Sequence, residues 1–164
     1  MTDLDGQSLY LTATANAAAR ILADLGAEFT SGHRDLRRQA RAMAVNTCLQ
    51  RNWVGVTYQH GSQVQRWIDE NPRVVTIQDL AEGIYRIIAA LPPGQQISRH
   101  LLMPCPCFDV QPRQDAIGIK ILQTIPTLPR LRHFKEKEGD LTRWHCEFED
   151  DVVDPLIEKG AVWT

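Results

Sequence analysis

The apolar residues of this chain change their spacing at Pro92-Pro93-Gly94, and this change constrains the fold more strongly than any other feature. Before these residues, apolar side chains recur at the three- and four-residue steps of a helix and form one wide face. That face consists of Ile77, Leu80, Ala81, Ile84, Ile87, Ile88 and Leu91. Thr76 is suited to cap such a helix, and the Pro-Pro-Gly segment would end it. The pattern predicts a core helix between these two signals.

Three further helices are expected nearer the N-terminus. An apolar stripe predicts a helix over residues 8–29, and a second amphipathic pattern predicts a helix from about residue 32 to residue 52. Residues 62–71 are expected to form a short helix that ends before Pro72. In the first helix, Ala15 and Ala18 permit the close approach of another helix. Packing within the chain is favoured for this stripe, and a homodimer seam is the alternative.

The residues that follow Gly94 have a different texture, in which strand signals dominate. Residues 117–125 are rich in β-branched and apolar side chains, which favours a strand. Residues 131–137 and 141–148 flank Glu138-Gly139-Asp140, a sequence typical of a hairpin turn. Asp154-Pro155 is expected to open a last short helix.

The side chains of residues 141–148 alternate between two faces of the predicted strand. The face that we expect to be buried carries Trp144, Cys146 and Phe148. The face that we expect to be in solvent carries Arg143, His145 and Glu147. On this interpretation Cys146 is a small core residue, and it is separated from its neighbour His145 by the strand itself.

These patterns together predict an α+β fold, with a helical N-terminal half of three to four helices packed on a small antiparallel C-terminal sheet around one shared core. Residues 1–164 are expected to form a single domain, since 164 residues is an ordinary domain size. The helical part is expected over residues 8–92, a Pro-rich connection over 92–112 and a β-rich part over 117–164.

Composition narrows the class of protein. The chain has 43% hydrophobic and 23% charged residues and a net charge of −2, which is typical of a globular protein and provides no global field for nucleic acid or an anionic membrane. The N-terminus lacks the basic and apolar regions of a signal peptide, and no apolar run is long enough to cross a bilayer. We therefore expect a cytoplasmic protein whose four cysteines are reduced.

Cys105 and Cys107 are the first candidate site. Residues i and i+2 of an extended segment share a face, and Pro106 favours that geometry, so both thiols should point the same way. Together with His100 they offer the soft thiolate and imidazole ligands that suit zinc. Cys48 or Cys146 could complete a set of four ligands, although the paired Cys-x-x-Cys spacing of zinc fingers is missing. Simple packing of the thiols is the favoured alternative.

The same three residues define an enzyme hypothesis. A nucleophilic cysteine needs a lowered pKa and a nearby base, roles that Cys105 or Cys107 and His100 could fill. The sequence lacks the family signatures of thiol enzymes, phosphate-binding loops and hydrolase elbows. We therefore lean towards a protein that is not an enzyme.

A basic face on the second helix is the remaining candidate, and it consists of Arg34, Arg37, Arg38 and Arg41. Arginines on one face can neutralise phosphates, which makes a nucleic-acid-binding regulator a further hypothesis. The near-neutral net charge weighs against it, because such faces are usually just solvated.

The preferred function at this point is that of a small cytosolic regulatory or adaptor protein, which binds another protein and performs no chemistry of its own. Its contact surface would include the arginine face and the Pro-rich segment 92–112. The first alternative is a thiol- or zinc-dependent enzyme centred on His100, Cys105 and Cys107. No cofactor is expected, with zinc as the one candidate, and no membrane partner is expected.

Overall fold

The computed structural model describes residues 3–4, 7–92, 95 and 97–149. Within these residues, helices α1 to α6 are Ala13–Asp24, Leu36–Leu49, Trp53–Thr57, Ser62–Glu70, Ile77–Ala89 and Ala116–Thr124. Strands β1 to β6 are Asp3–Leu4, Gln7–Ser8, Phe29–Ser31, Cys107–Val110, Leu131–Glu138 and Leu141–Phe148. β1 and β2 pair with each other, and the other strands form an antiparallel sheet in the order β3-β4-β6-β5.

Side-chain caps fix where the longer helices begin. The side chains of Thr12, Asp35, Thr76 and Asp115 each accept a hydrogen bond from a backbone N–H in the first turn of α1, α2, α5 and α6. Each bond satisfies a donor that the start of a helix would otherwise leave unpaired. The predicted cap at Thr76 is thus confirmed, and α5 ends at Ala89, before the Pro-Pro-Gly segment.

The sheet separates two groups of helices. One of its faces packs on α1 and α6, where Ala15, Leu22, Phe108, Ile121 and Phe148 belong to one buried apolar cluster. Helices α2 to α5 bury a second cluster of their own. The expectation of one shared core is therefore wrong, because α2 to α5 have enough apolar surface to bury it largely among themselves.

The α+β fold class is confirmed, with helices dominating the N-terminal half and the antiparallel sheet built mainly from the C-terminal half. The predicted hairpin over Glu138-Gly139-Asp140 is confirmed, and Gly139 adopts the positive φ of +61° that such a turn requires. The predicted helix over 62–71 is confirmed as α4. The helix expected after Asp154 and the last part of the β-rich region lie outside the described residues.

Three expectations about the elements are corrected. Residues 117–125, expected as a strand, lie in α6 except for Ile125, which follows it directly. Ile117, Ile121 and Ile125 contact the core at helical steps of four. The helix expected over 8–29 is shorter, because α1 spans only Ala13–Asp24 and the last predicted residue, Phe29, begins β3. The helix expected over 32–52 spans only Leu36–Leu49. Tertiary burial outweighs β-propensity in α6.

The stripe of small residues in α1 is buried within the chain. Ala15 and Ala18 are 0% and 1% exposed and pack in the cluster beneath the sheet. This confirms the preference for packing within the chain at this stripe. Among the described residues, none of the helices has the length and apolar character needed to span a membrane.

Candidate metal centre

Local structure fixes the backbone of His100 and Cys105. His100 lies in a short 3₁₀ turn, Arg99–Leu101, and its backbone N–H donates to the Ser98 Oγ at 3.2 Å. The Cys105 N–H donates to the Tyr10 carbonyl at 2.7 Å, and the Thr12 N–H donates to the Cys105 carbonyl at 2.9 Å. Cys107 is the first residue of β4. Side chains on such a constrained backbone have little freedom to separate.

The side chains of His100, Cys105 and Cys107 meet in the interior. A ring nitrogen of His100 and the two sulfur atoms all lie within 4.8 Å of one another. The two Sγ atoms are 3.6 Å apart, as expected for thiols that point the same way from an extended segment. The exposed fractions of the three residues are 4%, 0% and 0%. Three side chains that can hold a metal ion are thus already gathered.

The backbone determines which nitrogen of His100 is available. Nδ1 lies 2.6 Å from the Gly32 carbonyl oxygen, which can only accept, so Nδ1 carries a hydrogen and donates it. Nε2 lies 3.4 Å from Oδ2 of Asp109. Burial lowers the pKa of His100, but the Asp109 carboxylate raises it above its usual value, so Nε2 must give up a proton before it can bind a metal. Histidines that bind metals almost always donate their second N–H to a carbonyl or carboxylate, as Nδ1 does here.

The two thiols have opposite electrostatic tendencies. A hydrogen bond from the Cys107 thiol lowers the pKa of Cys105 most, and the His100 ring lowers it further against the opposing effect of burial. Burial raises the pKa of Cys107, as does the neighbouring Cys105. The site therefore favours one thiolate and one thiol, and a cation would remove the second proton.

A charged network adjoins the thiols on the same face of the sheet. Asp109 accepts from His145 Nδ1 at 2.7 Å through Oδ1 and from Arg34 at 3.0 Å through Oδ2. Nε2 of His145 lies 3.0 Å from Oε1 of Glu147, so both of its ring nitrogens are engaged by carboxylates. Burial would raise the pKa of Asp109, but the adjacent His100 and His145 hold it well below its usual range.

A second possible metal group consists of His100, Asp109 and His145, whose ligand atoms also lie within 4.8 Å of one another. Its members are less available, because Asp109 already accepts from Arg34 and His145, and His145 contacts two carboxylates. A metal ion would have to displace these ion pairs. The His100, Cys105 and Cys107 group is therefore the better candidate.

The expectation that the His145 face of β6 is in solvent is wrong. His145 is 5% exposed, and the Glu147 side chain is 14% exposed. The buried face was predicted correctly, with Trp144, Cys146 and Phe148 at 5%, 0% and 0%. Both faces are covered because α2 and α3 lie over the side that the hairpin alone would leave in water.

A cavity of about 850 Å³ lies between this face of the sheet and helices α2 and α3. Its lining includes His100, Asp109 and His145 on the sheet side and Asn46 and Tyr58 on the helical side. Neither Cys105 nor Cys107 belongs to this lining. The thiols therefore lie behind His100 and Asp109 as seen from the cavity.

The contacts of His145 with carboxylates make the stability of the fold depend on whether His145 is protonated. Burial lowers its pKa, but hydrogen bonds to Asp109 and Glu147 raise it from 6.5 to about 10. The folded protein therefore binds this proton more tightly than the unfolded chain does. The resulting stability is fully present below pH 6.5 and is lost as the pH rises through about 10.

The wild type is expected to have a higher free energy of unfolding than a His145→Gln variant at pH 6.5. As the pH rises from 6.5 to about 10, this difference should shrink by at least about 1.4 kcal/mol, which is the equivalent of one pKa unit. Urea unfolding in the presence of EDTA measures it. The exposed His133 gives the control, since His133→Gln leaves both carboxylates of His145 in place. A difference between wild type and His145→Gln that stays constant with pH would contradict this account.

The arginines of the predicted basic face do not share one surface. Arg34 precedes α2 and points inwards, with its side chain 18% exposed and paired with Asp109. Arg37 is exposed, stacks 4.1 Å from the centre of the Tyr85 ring and lies 3.6 Å from Glu82. Arg38 and Arg41 are also exposed. The remaining basic surface is smaller than the sequence indicated.

The other two cysteines lie apart from the candidate centre. Cys48 is exposed at the end of α2 and contacts the Val75 carbonyl. Cys146 belongs to the apolar cluster on the far side of the sheet, where burial raises its pKa strongly. The two cysteines considered as a fourth ligand are thus not brought to His100.

Sequence reasoning missed Asp109, Glu147 and the inward role of Arg34. Asp109 follows Cys107 at the i+2 position, and Glu147 follows His145 in the same way, so each pair shares a face of its strand. This alternation was the only sequence signal that could have placed Asp109 beside Cys107 and Glu147 beside His145. The pairing of β4 with β6, which sets Asp109 opposite His145, is a long-range fact that neither segment reveals.

Comparison with known proteins leaves the site to be interpreted from its own geometry. No protein-family model matches the chain, and no match is found among curated proteins or solved structures.

Proposed function

We propose that this protein binds one zinc ion through His100 Nε2 and the sulfur atoms of Cys105 and Cys107. The observation that carries the proposal is that these three buried ligand groups lie within 4.8 Å of one another while Nδ1 of His100 is already held by the Gly32 carbonyl. Two thiolates and an imidazole form a soft ligand set, which favours zinc over calcium or magnesium.

Binding would exchange protons for the metal. Cys107 must lose its proton, and His100 must bind in its neutral form, so zinc binding releases protons and becomes stronger as the pH rises. Three protein ligands leave one tetrahedral position for water or another small ligand. The ion would tie the 3₁₀ turn that carries His100 to the segment that leads into β4.

A role of the thiols as nucleophiles towards a molecule in the cavity is less well supported. Neither sulfur lines the cavity, and both cysteines are 0% exposed. The adaptor hypothesis is likewise weaker on this geometry, because Arg34 is engaged by Asp109 instead of extending the exposed arginine face. A zinc site built from reduced cysteines fits the cytoplasmic location that we expect from the sequence.

Equilibrium dialysis against zinc, in parallel with dialysis against calcium, tests the proposal. Protein stripped with chelator is expected to retain about one equivalent of zinc and no calcium. The Cys48→Ser variant is the matched control, because it removes the exposed thiol and leaves the centre intact. Equal retention of both metals, or retention of neither, would rule the proposal out.

A further inference from the structure

The cavity beside the candidate centre carries more positive than negative charge. Five arginine or lysine side chains contribute to its lining, against three carboxylates. The carboxylates are largely engaged within the network: Asp109 pairs with Arg34 and His145, and Glu147 contacts His145 at 3.0 Å and Arg99 at 3.7 Å. The charges of Asp109 and Glu147 are therefore already compensated inside the wall of the cavity, and the third carboxylate, Glu138, lies 4.0 Å from Nδ1 of His145.

Arg143 is placed in this cavity without a carboxylate partner among the described residues. One of its terminal nitrogens donates to Asn46 Oδ1 at 2.7 Å, and the other donates to the Thr142 carbonyl at 2.8 Å. Both acceptors are neutral, and Asn46 is only 8% exposed. The guanidinium is thus oriented by its surroundings while its charge stays uncompensated, which is a suitable arrangement for binding an oxyanion.

Lys135 adds a second positive charge at the same place. It lies on β5 directly opposite His145, and Arg143 precedes His145 by two residues on β6. Because residues i and i+2 of a strand share a face, Arg143, His145 and Lys135 all belong to the cavity side of the hairpin. Lys135 is exposed and has no ion-pair partner in the described part of the chain.

We infer that the cavity between the sheet and helices α2 and α3 binds a small organic anion, whose carboxylate or phosphate group is held by Arg143 and Lys135. The volume of about 850 Å³ suits a molecule of metabolite size. The half-buried Tyr58 in the lining provides aromatic surface for the remainder of such a molecule. The residues that hold the anion, Arg143 and Lys135, are not among the proposed zinc ligands, and of those ligands only His100 lines the cavity.

Isothermal titration calorimetry with two probes tests the inference, with citrate as the carboxylate and adenosine 5′-monophosphate as the phosphate. The metal-free protein is used because citrate chelates zinc, which also separates this test from that of the metal centre. We expect saturable binding at one site in at least one arm, and the arm that saturates identifies the oxyanion.

Variants locate the bound anion. Arg143→Gln is expected to weaken binding at least about tenfold, since losing a charge-assisted hydrogen bond costs about 1.5–3 kcal/mol. Lys135→Gln, at an exposed position, is expected to weaken it about threefold. Arg41→Gln is the control on the exposed side of α2, and it should bind as the wild type does. The inference fails if neither probe saturates by about 10 mM, if both cavity variants bind normally, or if Arg41→Gln is weakened equally.

Discussion

The variant Cys105→Ala/Cys107→Ala is expected to bind zinc at least about 100-fold more weakly than the wild type. Changing residues that merely support a metal ligand costs about 10- to 100-fold in affinity, and this variant removes two ligands outright. At a free zinc concentration of about 100 times the dissociation constant, the wild type should gain about 2.7 kcal/mol in its free energy of unfolding. A 100-fold weaker variant should gain only about 0.4 kcal/mol.

Chemical unfolding with and without zinc measures this difference. Alanine preserves the apolar character of a buried site and avoids adding an unsatisfied hydroxyl. The single variant Cys107→Ala provides a milder second test, with an expected loss of at least about tenfold in affinity. Cys48→Ser should gain as much stability from zinc as the wild type does. Equal stabilisation of the double variant by zinc would show that the metal binds elsewhere.

The variant Asp109→Asn is expected to lower the free energy of unfolding by about 3–5 kcal/mol. Asp109 compensates Arg34 and His145, and its side chain is 15% exposed. Removing its charge leaves both cations in the wall of the cavity without the carboxylate between them. Removing one partner of a buried ion pair lowers the free energy of unfolding by more than the intact pair contributes to it, because an uncompensated charge stays buried.

Denaturant unfolding of the metal-free protein measures this effect separately from any loss of zinc. The matched control is Asp24→Asn at an exposed position near the end of α1, which should change stability by no more than about 0.5 kcal/mol. An effect of Asp109→Asn as small as that of the control would mean that water, and not Asp109, compensates Arg34 and His145.

The fold class was predictable because local patterns agree with the final structure over most elements. The apolar face that ends before Pro92 predicts α5, and the alternation over 141–148 identifies the buried face of β6. The strand expected over 117–125 was wrong because β-branched residues also fill a buried helix face when a cap such as Asp115 starts the helix. Composition alone does not distinguish the two cases.

The candidate site was predictable only where it is local in sequence. The thiols of Cys105 and Cys107 converge because they are two residues apart in an extended segment, and His100 is close along the chain. The charged network depends instead on β4 pairing with β6, which joins residues 36 positions apart. The position of α2 and α3 over the sheet is likewise tertiary, and it turns an expected solvent face into the wall of a cavity.

X-ray absorption spectroscopy at the zinc edge tests the proposed metal centre most directly. The zinc-loaded Cys48→Ser variant is the appropriate sample, since it removes the exposed thiol that could bind metal adventitiously. We predict two sulfur ligands at about 2.3 Å and nitrogen or oxygen ligands at about 2.0–2.1 Å. A first coordination shell of nitrogen and oxygen alone would contradict the assignment of Cys105 and Cys107 as ligands.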